Sequence, residues 1–297
     1  MVEGAVNSFL SYLNLQKRFS PLTTKNYGAD LHDFFTFLDA ELQGYTLTTI
    51  SFLHVREFVA HLMDSGFSPR SVNRKISSLK SFFKYLLRNG EIDVNPTQKI
   101  QGPKMPKRLP VFIDENHLGS VFTTQEFSEG FEGLRDKLLI DVLYQTGIRR
   151  AELLGLKEGD VDLYNLQLKV LGKRNKERII PFDISLKRNL QEYLTVKKEH
   201  HLSNSHLFVT LNDTPISESQ ISKIVKAVLS QVTTSKKKSP HILRHSFATH
   251  LLDNGADINA VKELLGHSSL SATQIYTHNS IDKLKKSYNQ AHPRSGN

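Results

Sequence analysis

The chain has 297 residues, and 39 lysines and arginines against 30 acidic residues give it a formal net charge of +9 and a pI near 9.5. This excess favours a polyanionic partner such as nucleic acid, although many basic proteins bind none. The absence of cysteine excludes disulfides, thiolate metal ligands and a cysteine nucleophile. Polar residues among the first 18 positions argue against a signal peptide or a membrane span, so a cytoplasmic protein is expected.

The first hundred residues carry four helical patterns. In each, apolar residues recur every three or four positions and polar residues fill the rest, which is typical of an amphipathic helix. We therefore expect residues 1–100 to form a module of four or five helices. The patterns lie at about residues 2–17, 23–38, 51–65 and 71–88, and Asn89-Gly90 ends the last one.

Basic residues concentrate on the last of these patterns and on the segment after it. Residues 101–110 combine prolines with lysine and arginine, which predicts a linker that either solubilises the chain or follows a DNA backbone. The helix before it offers candidate contacts to DNA phosphates, which give affinity without naming bases. These candidates are Arg74, Lys75, Lys80 and Lys84.

Residues 111–297 are predicted to form a second module of mixed, mostly helical structure. A largely apolar helix around 136–143 is ended by Gly147. Alternating polarity at 166–171 resumes at 178–180 after a turn, which predicts a β-hairpin.

Two further helices follow the hairpin and carry polar residues of interest. Ser239 and Pro240 predict the N-cap and first residue of a helix that Gly255 ends. Asp257 is predicted to cap a short helix that Gly266 ends.

Tyr276 lies in a stretch rich in histidine and arginine, which suggests a tyrosine that attacks a DNA phosphate. A tyrosine hydroxyl has an ordinary pKa of about 10 and needs cations and a base nearby to act at neutral pH. Arginine offers a planar fork of donors to non-bridging oxygens, lysine can protonate a leaving 5′ oxygen, and histidine can accept or donate a proton. The candidates are Arg149 and Arg244 for the phosphate, Lys173 for the acid, and His241 and His267 as further donors or acceptors.

Each of these residues taken alone is more often structural, since an isolated tyrosine is usually half-buried and an isolated arginine usually forms a surface ion pair. The histidines at 241–267 lack the cysteines or glutamate spacing of a zinc site, so no metal and no cofactor is expected. Glu152 can cap or orient its helix, and Gly147 and Gly155 permit tight turns.

Five motifs in this order resemble the tyrosine recombinase (phage integrase) family, and within it the Xer-type site-specific recombinases. Arg174 departs from the family hairpin, which often has glycine there, so the turn geometry stays open. The motifs are Thr-Gly-Ile-Arg-Arg-Ala-Glu-Leu at 146–153, Leu-Gly-Lys-Arg-Asn-Lys-Glu-Arg at 171–178, His-Ile-Leu-Arg-His at 241–245, Leu-Gly-His at 265–267 and Tyr-Thr-His at 276–278.

The resemblance implies a role for each candidate residue. Tyr276 would form a 3′-phosphotyrosyl link, Arg149 and Arg244 would hold the scissile phosphate, and Lys173 would be the general acid. The same resemblance assigns His241 and His267 to the rest of the catalytic set.

The resemblance also implies a C-shaped clamp on DNA. Its parts would be a helical, SAM-like core-binding domain at 1–100, a catalytic domain at 111–297 with a small β-hairpin or sheet, and a C-terminal exchange helix at about 280–290. That helix would dock onto a neighbouring subunit in a homo- or hetero-tetramer on two duplexes.

The implied activity is cutting and rejoining of DNA through a Holliday junction without ATP, since the phosphotyrosine retains the energy of the broken ester. Chromosome dimer resolution is favoured, because no arm-binding domain precedes the first helical pattern. A mobile-element integrase is the main alternative, followed by a type IB topoisomerase and a non-catalytic DNA-binding regulator. The target sequence, the order of strand cleavage and control by a septal DNA translocase stay open.

Overall fold

Helices form most of the chain in this computed structural model. It describes residues 2–42, 44–106, 112–123, 127–172, 176–235, 237–266 and 278–294, without the side chains of 123, 278–283 and 286. Two units, Met1–Arg108 and Leu109–Asn297, each enclose an apolar core. Within the described ranges no helix has the length and apolarity that a membrane crossing requires.

The described residues of the first unit form four helices. Two of them begin at a Ser-Pro pair, where the hydroxyl of Ser20 or Ser68 accepts a hydrogen bond from a backbone N–H of the first turn and the proline occupies the first helical position. The helices are α1 (Val2–Leu15), α2 (Pro21–Glu41), α3 (Phe52–Asp64) and α4 (Pro69–Arg88).

The apolar stripes predicted for α2 and α4 form the core of this unit, which confirms both helices. Phe34 of α2 meets Phe83 of α4 edge to face, with ring centroids 6.1 Å apart. After α4, Ile100 is buried in the same core, and the side-chain amide of Asn73 donates to the carbonyl of Pro103 at 2.9 Å. The start of the predicted linker is therefore held against α4.

The second unit surrounds a long buried helix with shorter helices and a small sheet. Its elements are α5 (Glu115–Thr123), α6 (Phe131–Thr146), α7 (Arg150–Leu154), β1 (Val161–Asp162), β2 (Gln167–Leu171), β3 (Glu177–Pro181), α8 (Ile184–Glu199), α9 (Glu218–Val232), α10 (Pro240–Asp253), α11 (Ile258–Leu265) and α12 (His278–Ala291).

The sheet is antiparallel, with strand order β1-β2-β3. Val170 pairs with Arg178, and the N–H of Gly172 donates to the carbonyl of Lys176 at 2.8 Å, which closes the hairpin. The predicted hairpin is thus confirmed. β1 has two residues, too few to show a period of two, and was not predicted.

Glycines end the two helices that lead into the candidate site. Gly147 ends α6 with a φ of 58°, and a Cβ atom there would lie 2.4 Å from the ring of Phe247. Asp257 caps α11 through two backbone N–H groups, and Gly266 ends it with a φ of 63°. These predictions are confirmed. Ser239 occupies the N-cap position of α10 and Pro240 its first helical position, as predicted, although the side chain of Ser239 makes no capping hydrogen bond.

The helix predicted near the C-terminus is present as α12 and packs within its own unit. Leu284, Tyr288 and Ala291 belong to the core, and the hydroxyl of Tyr288 donates to the side-chain oxygen of Gln145 at 3.3 Å. Docking of this helix onto a neighbouring subunit stays a prediction.

Candidate active site

Three arginines from distant parts of the chain converge at the end of α11. Arg149 precedes α7, Arg178 lies on β3 and Arg244 lies on α10. Their guanidinium groups donate to consecutive main-chain carbonyls. Arg178 Nε reaches the carbonyl of Leu264 at 2.8 Å, Arg244 Nη2 that of Leu265 at 2.6 Å, and Arg149 Nη2 that of Gly266 at 3.2 Å.

The carboxylate of Glu152 joins two of these arginines. Its Oε1 accepts from Arg149 Nη1 at 2.8 Å and from Arg178 Nη1 at 2.9 Å. Its Oε2 accepts from Arg178 Nη2 at 2.8 Å and from the backbone N–H of Arg149 at 2.7 Å. Glu152 therefore both caps the start of α7 and orients Arg149, as predicted. We call Glu152, Arg149, Arg178 and Arg244 together the arginine cluster.

Glu152 stays ionised in this setting. Burial alone would raise the pKa of its carboxyl, but the hydrogen bonds and charge of Arg178, with the hydrogen bonds of Arg149, lower the pKa to about 2. One carboxylate thus stands among three guanidinium groups. The arginine cluster keeps an excess of positive charge, which suits a bound oxyanion.

Burial and neighbouring charges both act on the guanidinium group of Arg244. Burial and then the charge of Arg149 lower the pKa of its guanidinium to about 10, with Glu152 opposing the shift and Arg178 adding to it. The group is still protonated at neutral pH. Its Nη1 donates to the carbonyl of Gly147 at 2.5 Å, so it is fixed at both ends of the fork.

Two glycines let other segments approach the arginine cluster. A Cβ atom at Gly266 would lie 3.1 Å from Arg178 Nη1, tighter than side chains ordinarily pack. A Cβ atom at Gly172, where β2 ends, would lie 3.5 Å from that nitrogen and 3.7 Å from Glu152 Oε1. The hairpin turn therefore begins at the arginine cluster.

The structure brings together Arg149 and Arg244 among the predicted catalytic residues. His241 is exposed in the first turn of α10, three residues before Arg244. Tyr276, Lys173 and His267 lie outside the described residues, and their roles stay predictions.

Sequence reasoning missed Arg178, which was assigned only to a strand. A signal was available, because strand alternation places residue 178 on the same face as Ile180, and both side chains are buried. An arginine on the buried face of a strand needs a partner that neutralises it.

The basic residues of α4 fall into two groups. Lys80 and Lys84 are exposed one turn apart, and Arg74 is half-exposed while its Nη1 donates to Asp30 at 2.5 Å. Lys75 contradicts the prediction of a DNA contact, because it is buried and its ammonium pairs with Asp30 at 3.3 Å and with Asp33. It holds α4 to α2 instead.

No group of three or more histidine, aspartate or glutamate side chains in the described ranges is arranged to hold a metal ion. The buried His250 instead makes structural contacts. Its Nδ1 lies 3.0 Å from the hydroxyl of Tyr144 and its Nε2 lies 2.9 Å from the carbonyl of Ile113.

Both units match known family models. Residues 113–283 match the phage integrase family, and residues 6–90 match the phage integrase N-terminal SAM-like domain. Relatives include tyrosine recombinase XerC of Chlorobaculum parvum, 37% identical over 96% of this chain and 93% of that protein. XerC of Bacillus subtilis is 36% identical over 99% of this chain and 98% of that protein.

Solved structures share the fold. XerH site-specific recombinase bound to palindromic difH substrate, in a post-cleavage complex, matches 96% of this chain and 83% of that chain at 23% identity and a TM-score of 0.73. A lambda integrase dimer bound to a COC′ core site matches 95% of this chain and 76% of that chain at 18% identity and a TM-score of 0.69.

The arginine cluster can bind an oxyanion, and both units match models of one family of DNA recombinases. The chain belongs to the phage integrase family of tyrosine recombinases, which confirms the resemblance seen in the sequence. It is a site-specific recombinase that acts on DNA.

Glu152→Gln should destabilise the protein in a pH-dependent way. The folded pKa of about 2 lies below the ordinary 4.5, so the ionised carboxylate contributes stability that is complete above pH 4.5 and is lost as the pH falls toward 2. We expect the substitution to lower the free energy of unfolding by about 3 kcal/mol at neutral pH, and by less as the pH drops. Urea unfolding of the full chain between pH 7 and pH 3, followed by circular dichroism, measures it.

Glu218→Gln is the matched control, because Glu218 is exposed and pairs with Arg150 at the surface. Its effect should stay below about 1 kcal/mol. A loss in Glu152→Gln that is the same at every pH would contradict the account of the ionised carboxylate.

Proposed function

We propose that the arginine cluster binds the scissile phosphate and that Tyr276 attacks it. The observation that carries this proposal is the convergence of Arg149 and Arg244 on the adjacent carbonyls of Leu265 and Gly266. Two guanidinium groups held side by side can donate to the two non-bridging oxygens of one phosphate. Their excess charge compensates the charge that grows on those oxygens in the transition state.

The proposed reaction is a transesterification in two steps. The Tyr276 oxygen bonds to phosphorus while the bond from phosphorus to the 5′ oxygen breaks. Lys173 gives a proton to the leaving oxygen, and His241 accepts the phenolic proton. In the second step the 5′ hydroxyl of another strand attacks the phosphotyrosine and restores Tyr276, so no energy source is consumed.

The positions of Lys173 and His267 in the sequence support their proposed roles. Lys173 follows Gly172 and His267 follows Gly266, and both glycines lie against the arginine cluster. His267 would then donate to a non-bridging oxygen.

We further propose that the enzyme resolves chromosome dimers as a homo- or hetero-tetramer on two duplexes, with a septal DNA translocase as a candidate regulator. Supporting this is likeness to XerC proteins along nearly the full length of both chains. A mobile-element integrase is the second candidate. The likeness to lambda integrase is limited to the fold and therefore does not favour the mobile-element role.

Affinity for DNA is proposed to come partly from α4. Lys80 and Lys84 are exposed on the same side of the helix and can each neutralise a phosphate, with Arg74 as a weaker candidate because Asp30 occupies its Nη1.

Tyr276→Phe should abolish the covalent protein–DNA adduct on a nicked suicide substrate and should also abolish recombination between two sites. The reason is the loss of the nucleophilic oxygen, and DNA binding should persist in a gel-shift assay. Tyr164→Phe is the control, since Tyr164 is 91% exposed in the β1–β2 turn, and it should keep full activity. The proposal would be overturned if Tyr276→Phe still formed an adduct, or if the wild-type protein bound the DNA but formed no adduct.

Lys80→Gln and Lys84→Gln should each reduce the salt dependence of DNA binding. Losing one phosphate contact changes the slope of log K against log salt by about 0.9. Lys17→Gln, at an exposed site just after α1, is the control and should leave the slope unchanged. Binding titrations between about 50 and 200 mM salt measure the slope. Unchanged slopes in both α4 variants would remove α4 from the interface.

Bound sites recovered from fragmented genomic DNA should separate the two biological roles. We expect a single site near the replication terminus, as chromosome dimer resolution requires. Sites at the ends of a mobile element would reject that role and support the second candidate.

A further inference from the structure

We propose that Arg178 is a positioning residue that orients Arg149 for the phosphate and prevents Glu152 from fully compensating the positive charge of Arg149. This inference rests on the proposed role of Arg149. Arg178 acts through Glu152 and does not itself touch the DNA.

Every nitrogen of the Arg178 guanidinium has a partner within the protein. Nε donates to the carbonyl of Leu264, and Nη1 and Nη2 donate to the two oxygens of Glu152. The side chain is only 5% exposed, whereas that of Arg149 is 27% exposed. Arg149 can therefore contact a ligand that approaches from solvent, whereas Arg178 holds Glu152 on the buried side of Arg149.

The bidentate hydrogen bonding of Arg178 to Glu152 has an electrostatic consequence. Without Arg178, the carboxylate would be left with Arg149 as its hydrogen-bonding partner, and that pair would be close to neutral. With Arg178 present, the carboxylate is compensated from the buried side, and Arg149 keeps positive charge for a phosphate. A planar fork is required for this, because a lysine cannot donate to both oxygens in that geometry.

Arg178 also joins three segments that the reaction needs. It lies on β3, it holds the residue that orients Arg149 before α7, and it binds the last turn of α11, which leads into Gly266. One buried side chain thus fixes the hairpin, the start of α7 and the end of α11 relative to each other.

The test compares cleavage of two suicide substrates, one with an ordinary scissile phosphodiester and one with a methylphosphonate at that position. The methyl group replaces a charged non-bridging oxygen, so less positive charge is needed to stabilise the transition state. Arg178→Met should cleave the ordinary substrate about 10²-fold more slowly than the wild type. On the methylphosphonate this defect should shrink to a few-fold, and Arg149→Ala should behave in the same way.

Lys197→Met is the structural control. Lys197 is buried and paired with Glu158, and its removal should impair both substrates equally through stability alone. Melting curves identify any variant that fails to fold. If Arg178→Met fails to fold, Arg178→Gln takes its place under the same criterion, since it also removes the buried charge but can still donate a hydrogen bond to Glu152.

The outcomes distinguish the inference about Arg178 from the proposed role of Arg149. If Arg149→Ala improves on the methylphosphonate but Arg178→Met is equally impaired on both substrates, the inference about Arg178 is wrong and the proposed function stands. If Arg149→Ala does not improve either, both the role of Arg149 and the inference built on it are overturned.

Discussion

The second unit depends on one shared carboxylate. Glu152 is buried with Arg178, and each of its oxygens accepts from two donors. Burying such charges is costly unless geometry and hydrogen bonding are nearly complete, and removing one partner leaves an uncompensated charge behind. The interaction therefore tolerates little movement of α7, β3 or α11, which fixes the directions of Arg149 and Arg244.

This rigidity is what an electrostatic catalyst of phosphoryl transfer needs. Donors that are already held by carbonyls and a carboxylate do not have to reorganise when charge appears on the substrate. The arginine cluster is also under-neutralised, because it places three guanidinium groups around one carboxylate, so a phosphate relieves repulsion when it binds. The same charges thus affect both stability and activity. Glu152 reduces the repulsion among the three guanidinium groups, and a bound phosphate neutralises the positive charge that remains.

The sequence predicted those parts of the fold that depend on local patterns. The apolar stripes of α2 and α4, the hairpin and the glycines after α6 and α11 each leave a signal within a few residues. Arg149 and Arg244 were found by residue type and motif. Lys75 was misassigned because its burial depends on Asp30 and Asp33 of another helix, which no local pattern shows. Strand alternation did place Arg178 on the same face as Ile180, but its partners, Glu152 on α7 and the carbonyl of Leu264 on α11, could not be read from that local pattern.

Most acceptors that hold the three guanidinium groups belong to the main chain, namely the carbonyls of Gly147, Leu264, Leu265 and Gly266. Every amino acid carries such an oxygen, so mutation of a neighbouring side chain cannot delete it. A one-residue insertion or deletion in either loop, in contrast, would rotate the peptide planes and point these oxygens elsewhere. Over evolutionary time, apart from Gly147, Gly266 and the proposed catalytic residues beside them, the segments around 147 and 266 should therefore change in composition more readily than in length.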